Sequence, residues 1–306
     1  MGATNQVFII TLCFILIGFL IKKYKFLSEA DGKIISKFLM HTTFPALMIV
    51  STSRVQLEPT LLLIPLFCIL FCGTNLLIAY FLFSKLPRDL RGILTMGAGG
   101  LNVGLFGFPI IEGLFGKDAL VYAVMFDIGN TIIVFGVVYP IGAYFSSKQT
   151  DGVSWRKILK KVFSLPPVHG MFIGLCINLF KIDLPDFSIS ILDTLAKANK
   201  PLVLLLMGIY LSFELNKKQF FEISKVILFR YTVALVLVFC LSVWMVDFPL
   251  VKSVLIICIV LPIGLTILPF SDELGYDSRI AGTLVNVSLL VSFVLMWGLV
   301  LGLQLR

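Results

Sequence analysis

Two histidines in 306 residues, and no pair of cysteines two residues apart, give a metal centre almost nothing to bind. Neither GxGxxG nor GxxxxGK[ST] occurs, and no nucleophile stands in a recognisable constellation, so an ATPase, a dinucleotide enzyme or any other enzyme is not expected. The six cysteines, Cys13, Cys68, Cys72, Cys176, Cys240 and Cys258, all fall in apolar segments and read as buried thiols, not as disulfides or a zinc site. Charge is scarce as well. Asp, Glu, Lys and Arg make up 14% of the chain, where globular domains carry roughly 25%.

What is abundant is apolar surface: 58% of the residues are hydrophobic and the mean hydropathy is +1.03. Long apolar stretches follow one another through short connections, which leaves no room for a sizeable soluble domain and implies a polytopic protein of the cell membrane in contact with lipid. The net charge of +8 sits mostly in those connections, so it reports orientation and gives no reason to expect a nucleic-acid partner.

Windows of roughly 20 residues, the length that crosses the hydrocarbon core, place spans at 5–22, 34–53, 59–83, 92–111, 119–145, 165–181, 188–212, 222–247, 250–271 and 279–303. Most of the 25 basic residues then lie in alternate loops, from Lys22, Lys23 and Lys25 through Lys225, Arg230 and Arg279, which puts both termini outside. The expectation is an all-α protein of ten transmembrane helices. Residues 1–145 form a first five-helix repeat and 165–306 a second. Because five is odd, two copies in series must be inverted. The basic stretch 146–164, with Trp155, Lys157, Lys160 and Lys161 at helical spacing, reads as an amphipathic cytoplasmic linker.

Two segments resemble each other across these halves. Residues 101–127 carry Asn102, Gly104, Gly107, Pro109, Glu112, Gly116 and Asp118, and residues 261–286 answer with Pro262, Gly264, Pro269, Asp272, Gly275 and Asp277. Pro45 and Pro201 make a further pair. Glycine and proline at this density free backbone groups that cost several kcal/mol each in lipid unless protein or water satisfies them. The segments therefore belong in the bundle interior, either as a close-packed small-residue interface or as unwound, crossing helices. Paired interruptions of this kind mark the substrate site of secondary transporters. Helix N-termini there suit an anion, carbonyl ends suit a cation, and the Asn102 amide is a candidate hydrogen-bonding group.

Asp127, with Asn130, falls deep in the fifth span. A carboxyl group inside a membrane is a functional candidate by default, because removal from water favours its neutral form and makes it a natural proton carrier; the structural reading is an acid that caps a broken neighbour. Its mate in the second half is Asn286, so one such charge exists per chain. Lys197 stands four residues before Pro201 and His41 four before Pro45. Lys197 either draws an anion into a vestibule or snorkels to the interface; His41 either joins the vestibule or is a satisfied buried histidine.

With Asn102, Gly107 and Pro109, Leu261, Pro262, Gly264, Pro269 and Phe270, and Thr43, Pro45 and Ala46 in view, the chain resembles the auxin efflux carrier family over its whole length. This family comprises plant auxin exporters and shorter bacterial permeases for malate and related dicarboxylates. The resemblance implies a scaffold built from helices 1, 2, 6 and 7, and a moving transport part in which helices 4 and 9 cross at their prolines beside the substrate. It also implies a homodimer. The long cytoplasmic loop of plant members is missing, so the permeases are the better comparison. The expected function is alternating-access carriage of a small organic anion such as malate, with no cofactor beyond a coupling H+ or Na+. A ligand-binding receptor and a small-anion channel are the other classes this pattern admits.

Overall fold

The computed structural model describes residues 3–53, 59–147, 166–211 and 217–305. Among them the secondary structure is helical, with one isolated backbone bridge and no strand. The helices are α1 (Ala3–Lys23), α2 (Glu29–His41), α3 (Thr43–Ser53), α4 (Leu63–Leu82), α5 (Arg88–Gly99), α6 (Phe108–Phe115) and α7 (Leu120–Ile133). They continue as α8 (Tyr139–Phe145), α9 (Pro166–Leu179), α10 (Asp186–Tyr210), α11 (Lys217–Trp244), α12 (Pro249–Ile259), α13 (Ile267–Leu274) and α14 (Ser278–Gly302). Among the described residues, six helical stretches are long and apolar enough to cross a membrane: Asn5–Lys23, Glu29–Ser53, Leu63–Leu82, Leu120–Phe145, Phe220–Trp244 and Ser278–Gly302. Their outward faces are apolar too, as Leu66, Leu70, Leu77 and Phe81 show on α4 and Leu228, Leu235 and Phe239 on α11. Lipid tails, not water, suit such faces.

The fourth and ninth expected spans are each two helices, since residues 100–107 and 260–266 are not α-helical. α13 runs on to Leu274, so the first residues expected in the inner loop after the ninth span are helical, and only residues 275–277 separate α13 from α14. α6 and α13 end alike, at Gly116 (φ 83°) and Gly275 (φ 77°), a backbone region that glycine enters without the Cβ penalty. Most of the linker, residues 148–165, lies outside the described residues. Of the cysteines, Cys68, Cys72 and Cys258 are buried as expected, whereas Cys13 and Cys176 face outward. A thiol is apolar enough to face lipid.

The helices gather into two compact units. The first holds residues 1–58, 104–124 and 160–211, and its contacts repeat at one interval. A Cβ on Gly18 of α1 would lie 2.0 Å from the Leu205 carbonyl oxygen of α10, and one on Gly208 would lie 2.0 Å from that of Ile15. A Cβ on Gly174 of α9 would in turn meet Thr52 Oγ1 at 2.0 Å and the Ile49 carbonyl oxygen at 2.8 Å. Gly18 and Gly174, Leu205 and Ile49, and Gly208 and Thr52 are all 156 residues apart, as are Thr43 and Asn199, which bond to each other, Thr43 Oγ1 donating to Asn199 Oδ1 at 2.8 Å. Backbone approach this close excludes any side chain. Gly208→Val is expected to destabilise the protein by about 3 kcal/mol or more through overpacking, read as a lower melting temperature in detergent; wild-type melting would contradict this packing.

The second unit holds residues 59–103, 125–159 and 212–306. α12 is its centre, with Val254 through Ile259 almost without exposure. A helix apolar on every side is what a fully surrounded position requires. α5 supplies small residues for close approach, so the small-residue reading of its glycines holds for Gly97 and Gly99: a Cβ on Gly97 would press on Leu284 at 2.9 Å and one on Gly99 on Leu76 at 2.5 Å.

Candidate functional site

Within the second unit, α5 and α12 both stop in the bundle interior and their chains run on as extended segments that cross. Leu101 and Ile263 pair antiparallel. The Asn102 N–H donates to the Pro262 carbonyl at 2.9 Å, and the Gly264 N–H donates to the Gly100 carbonyl at 3.3 Å. A Cβ on Gly264 would lie 3.1 Å from the Leu101 carbonyl oxygen, so glycine permits this approach. Pro262 lacks an N–H and can only accept here, which suits the end of a helix.

Extended backbone at membrane depth must be satisfied by protein, and side chains from α7 and α14 do this. Asn130 clamps one peptide from both sides: its Oδ1 accepts the Leu101 N–H and its Nδ2 donates to the Leu101 carbonyl, each at 3.0 Å. The same Nδ2 donates to Asp127 Oδ1 at 3.0 Å. On the other segment, the Ile263 N–H donates to Ser288 Oγ at 2.9 Å and Ser292 Oγ donates to the Val260 carbonyl at 2.6 Å. Tyr231 on α11 donates its hydroxyl to the Ser288 carbonyl at 2.8 Å and fixes that helix.

Asn102 is 5% exposed, and its Nδ2 has no hydrogen-bond partner among the described residues. A buried amide donor without a partner costs about 1–3 kcal/mol, so the crossing keeps an unsatisfied donor at its centre. Asn286, on α14, is buried at 7% exposure. Asp127 is half-buried, with the Asn130 amide on one oxygen.

The expected residues are divided between the two units. Asn102, Asp127, Asn130, Pro262 and Asn286 belong to the second unit, while Gly107 and Pro109 belong to the first, as the N-cap and second residue of α6. Pro269 is the third residue of α13 and is exposed. The segments thus cross at Leu101 and Ile263, and Pro262 sits at the crossing while Pro109 and Pro269 stand beyond it: a proline is comfortable in the first turn of a restarting helix and does not mark where the previous one stopped. His41 is exposed at the end of α2, not buried, with Nδ1 2.8 Å from the Lys37 carbonyl oxygen. Lys197 lines a cavity of about 180 Å³ in the first unit, together with Glu112, Asp118 and Asp193. Three carboxylates around one ammonium do not make a field that draws an anion.

Sequence reasoning missed Arg230. Counted among the inner-loop basic residues, it is instead in the middle of α11, 1% exposed. Nη1 donates to the carbonyls of Gly97 (3.4 Å), Ala98 (3.1 Å) and Gly100 (3.1 Å), and Nη2 to that of Leu261 (3.1 Å). The available signal was a basic residue deeper in the apolar stretch Phe220–Trp244 than Glu222 and Lys225 near its start.

A family model described as "Membrane transport protein" matches residues 3–300. A protein named as an uncharacterized transporter in Methanocaldococcus jannaschii is 25% identical over 311 aligned residues, 97% of this chain and 98% of its own length. Another uncharacterized transporter, from Methanothermobacter thermautotrophicus, is 28% identical over 217 residues, 70% of this chain and 69% of that one. Apolar spans, broken helices and a match across nearly the whole chain agree: the protein belongs to the membrane transport protein family, that of the auxin efflux carriers.

Proposed function

We propose that the protein is a secondary active carrier of small organic anions, with malate or a similar carboxylate as the substrate class and weak acids of the auxin type as a wider one. The observation that carries this reading is the crossing of two interrupted helices around the unpartnered Asn102 amide. That donor suits a carboxylate oxygen, and the dipole of α13, which starts just beyond the crossing, adds positive potential at its N-terminus. The contacts of the first unit that recur 156 residues apart support two inverted five-helix repeats and ten spans. The gathering of α1, α2, α3, α9 and α10 into one unit supports the scaffold, although that unit also takes in α6, the second half of the fourth span. Both termini lie outside, residues 146–164 join the repeats on the cytoplasmic surface, and two copies form a homodimer in the membrane.

Coupling to a proton or sodium gradient falls to Asp127, held toward the crossing by Asn130. Asp127→Asn keeps the shape and removes the titrating group. In proteoliposomes the variant should still exchange labelled malate across the membrane but lose gradient-driven accumulation. Equal accumulation by variant and wild type would remove Asp127 from the coupling step.

A further inference from the structure

Both helices that end at the crossing leave carbonyl groups without helical partners, and each C-terminus carries about half an elementary negative charge. In a broken-helix carrier, carbonyls gathered in this way are the groups that coordinate a sodium ion. Here a side chain already occupies them. Arg230 takes three carbonyls from the end of α5 and its extension, Gly97, Ala98 and Gly100, and one, Leu261, from the segment after α12. Among the described residues Arg230 has no ion-pair partner, and its Nε has no hydrogen-bond partner.

We infer that Arg230 is the resident cation of the crossing: its guanidinium holds the carbonyl ends of both broken helices in the place a bound sodium ion would otherwise fill. The charges support this. Two helix C-termini sum to about one negative charge, which one guanidinium balances. With the negative ends cancelled, the field at the crossing is left to the Asn102 donor and the helix N-terminus that follows, and both favour an anion. Arg230 acts through the backbone it positions. It follows that sodium does not drive transport through the crossing, which leaves protons or the membrane potential.

The transport part of the test rests on the carrier reading, and the stability part does not. Wild type should melt at the same temperature in sodium chloride and choline chloride, and should take up malate equally in both. Arg230→Ala should lose at least about tenfold in uptake, as expected for stripping charge-assisted bonds from buried carbonyls, and guanidinium chloride at non-denaturing concentration should raise its melting temperature and its uptake while leaving wild type unchanged. Should the alanine variant fail to accumulate, Arg230→Lys and Arg230→Met carry the test: the lysine variant keeps a charge and should retain part of the uptake and stability, and the methionine variant should lose both. Sodium-dependent melting or uptake by wild type, an alanine variant indifferent to guanidinium, or lysine and methionine variants that behave alike would each overturn the inference. A melt of Arg230→Ala that responds to guanidinium, with no uptake by any form, would sink the carrier reading and leave Arg230 in its place.

Discussion

Asn130→Leu is expected to cost about 2–6 kcal/mol of stability, because it leaves both the N–H and the carbonyl of Leu101 buried without a partner, at roughly 1–3 kcal/mol each. Leucine keeps the branched outline of asparagine but is larger, and its methyl groups would meet the Leu101 peptide at the 3.0 Å that the amide now spans, so overpacking adds to the lost hydrogen bonds. Asn130→Asp separates the two. It keeps an oxygen for the Leu101 N–H but removes the donor to the Leu101 carbonyl and sets a second carboxylate beside Asp127, where two negative charges repel. Both variants should melt well below wild type in the same detergent at the same heating rate. A leucine variant that melts with wild type would mean that the crossing peptide is not held by Asn130.

Asn102→Ala should do the reverse. Its Nδ2 has no hydrogen-bond partner among the described residues, so removal of the amide forfeits none of the bonds seen in the fold and relieves one unsatisfied donor. Stability should stay within about 1 kcal/mol of wild type. Transport should fall about 100-fold, the loss expected when a substrate's charge-assisted bond of roughly 3 kcal/mol is removed. Asn102→Asp should be worse for an anion, since it replaces the donor by a repelling charge. Two asparagines less than 30 positions apart on the same crossing would thus separate into one that holds the backbone and one that serves the proposed substrate. An alanine variant that transports normally would remove Asn102 from the substrate site.

Much of this crossing is legible in the sequence alone. Glycine and proline between Gly97 and Pro109, and again between Leu261 and Gly275, are incompatible with ordinary lipid-facing helices, and their pairing across the halves pointed to the same place twice. Asn130 was visible because an amide inside an apolar span needs a partner, although its two-sided hold on Leu101 depends on a backbone conformation that residue types do not encode. Pro269 misled for a related reason: proline shows where a helix cannot continue from before, and α13 accommodates it in its first turn. Ser288 and Ser292 carry no such signal, because a serine in an apolar helix usually bonds its own previous turn. Arg230 was hidden by loop counting. In the expected span 222–247 it lies in the half nearer the inner loop, from which a long basic side chain ordinarily snorkels, and carbonyl oxygens that hold one inside leave no trace in sequence. Lys197 was visible as a charge before a proline, with Asp193 one turn back on α10, but Glu112 and Asp118 of its cavity come from a distant stretch of chain that only folding brings to it.

The most direct measurement is counterflow in proteoliposomes that contain the purified protein and are loaded with unlabelled malate. External labelled malate should enter saturably, slow when other dicarboxylates compete, and transiently exceed its outside concentration, since a carrier exchanges substrate across alternating states. Entry that never saturates, or that proceeds at channel rates without overshoot, would contradict the carrier account; saturable overshoot with malate, abolished in Asn102→Ala, is the result it predicts.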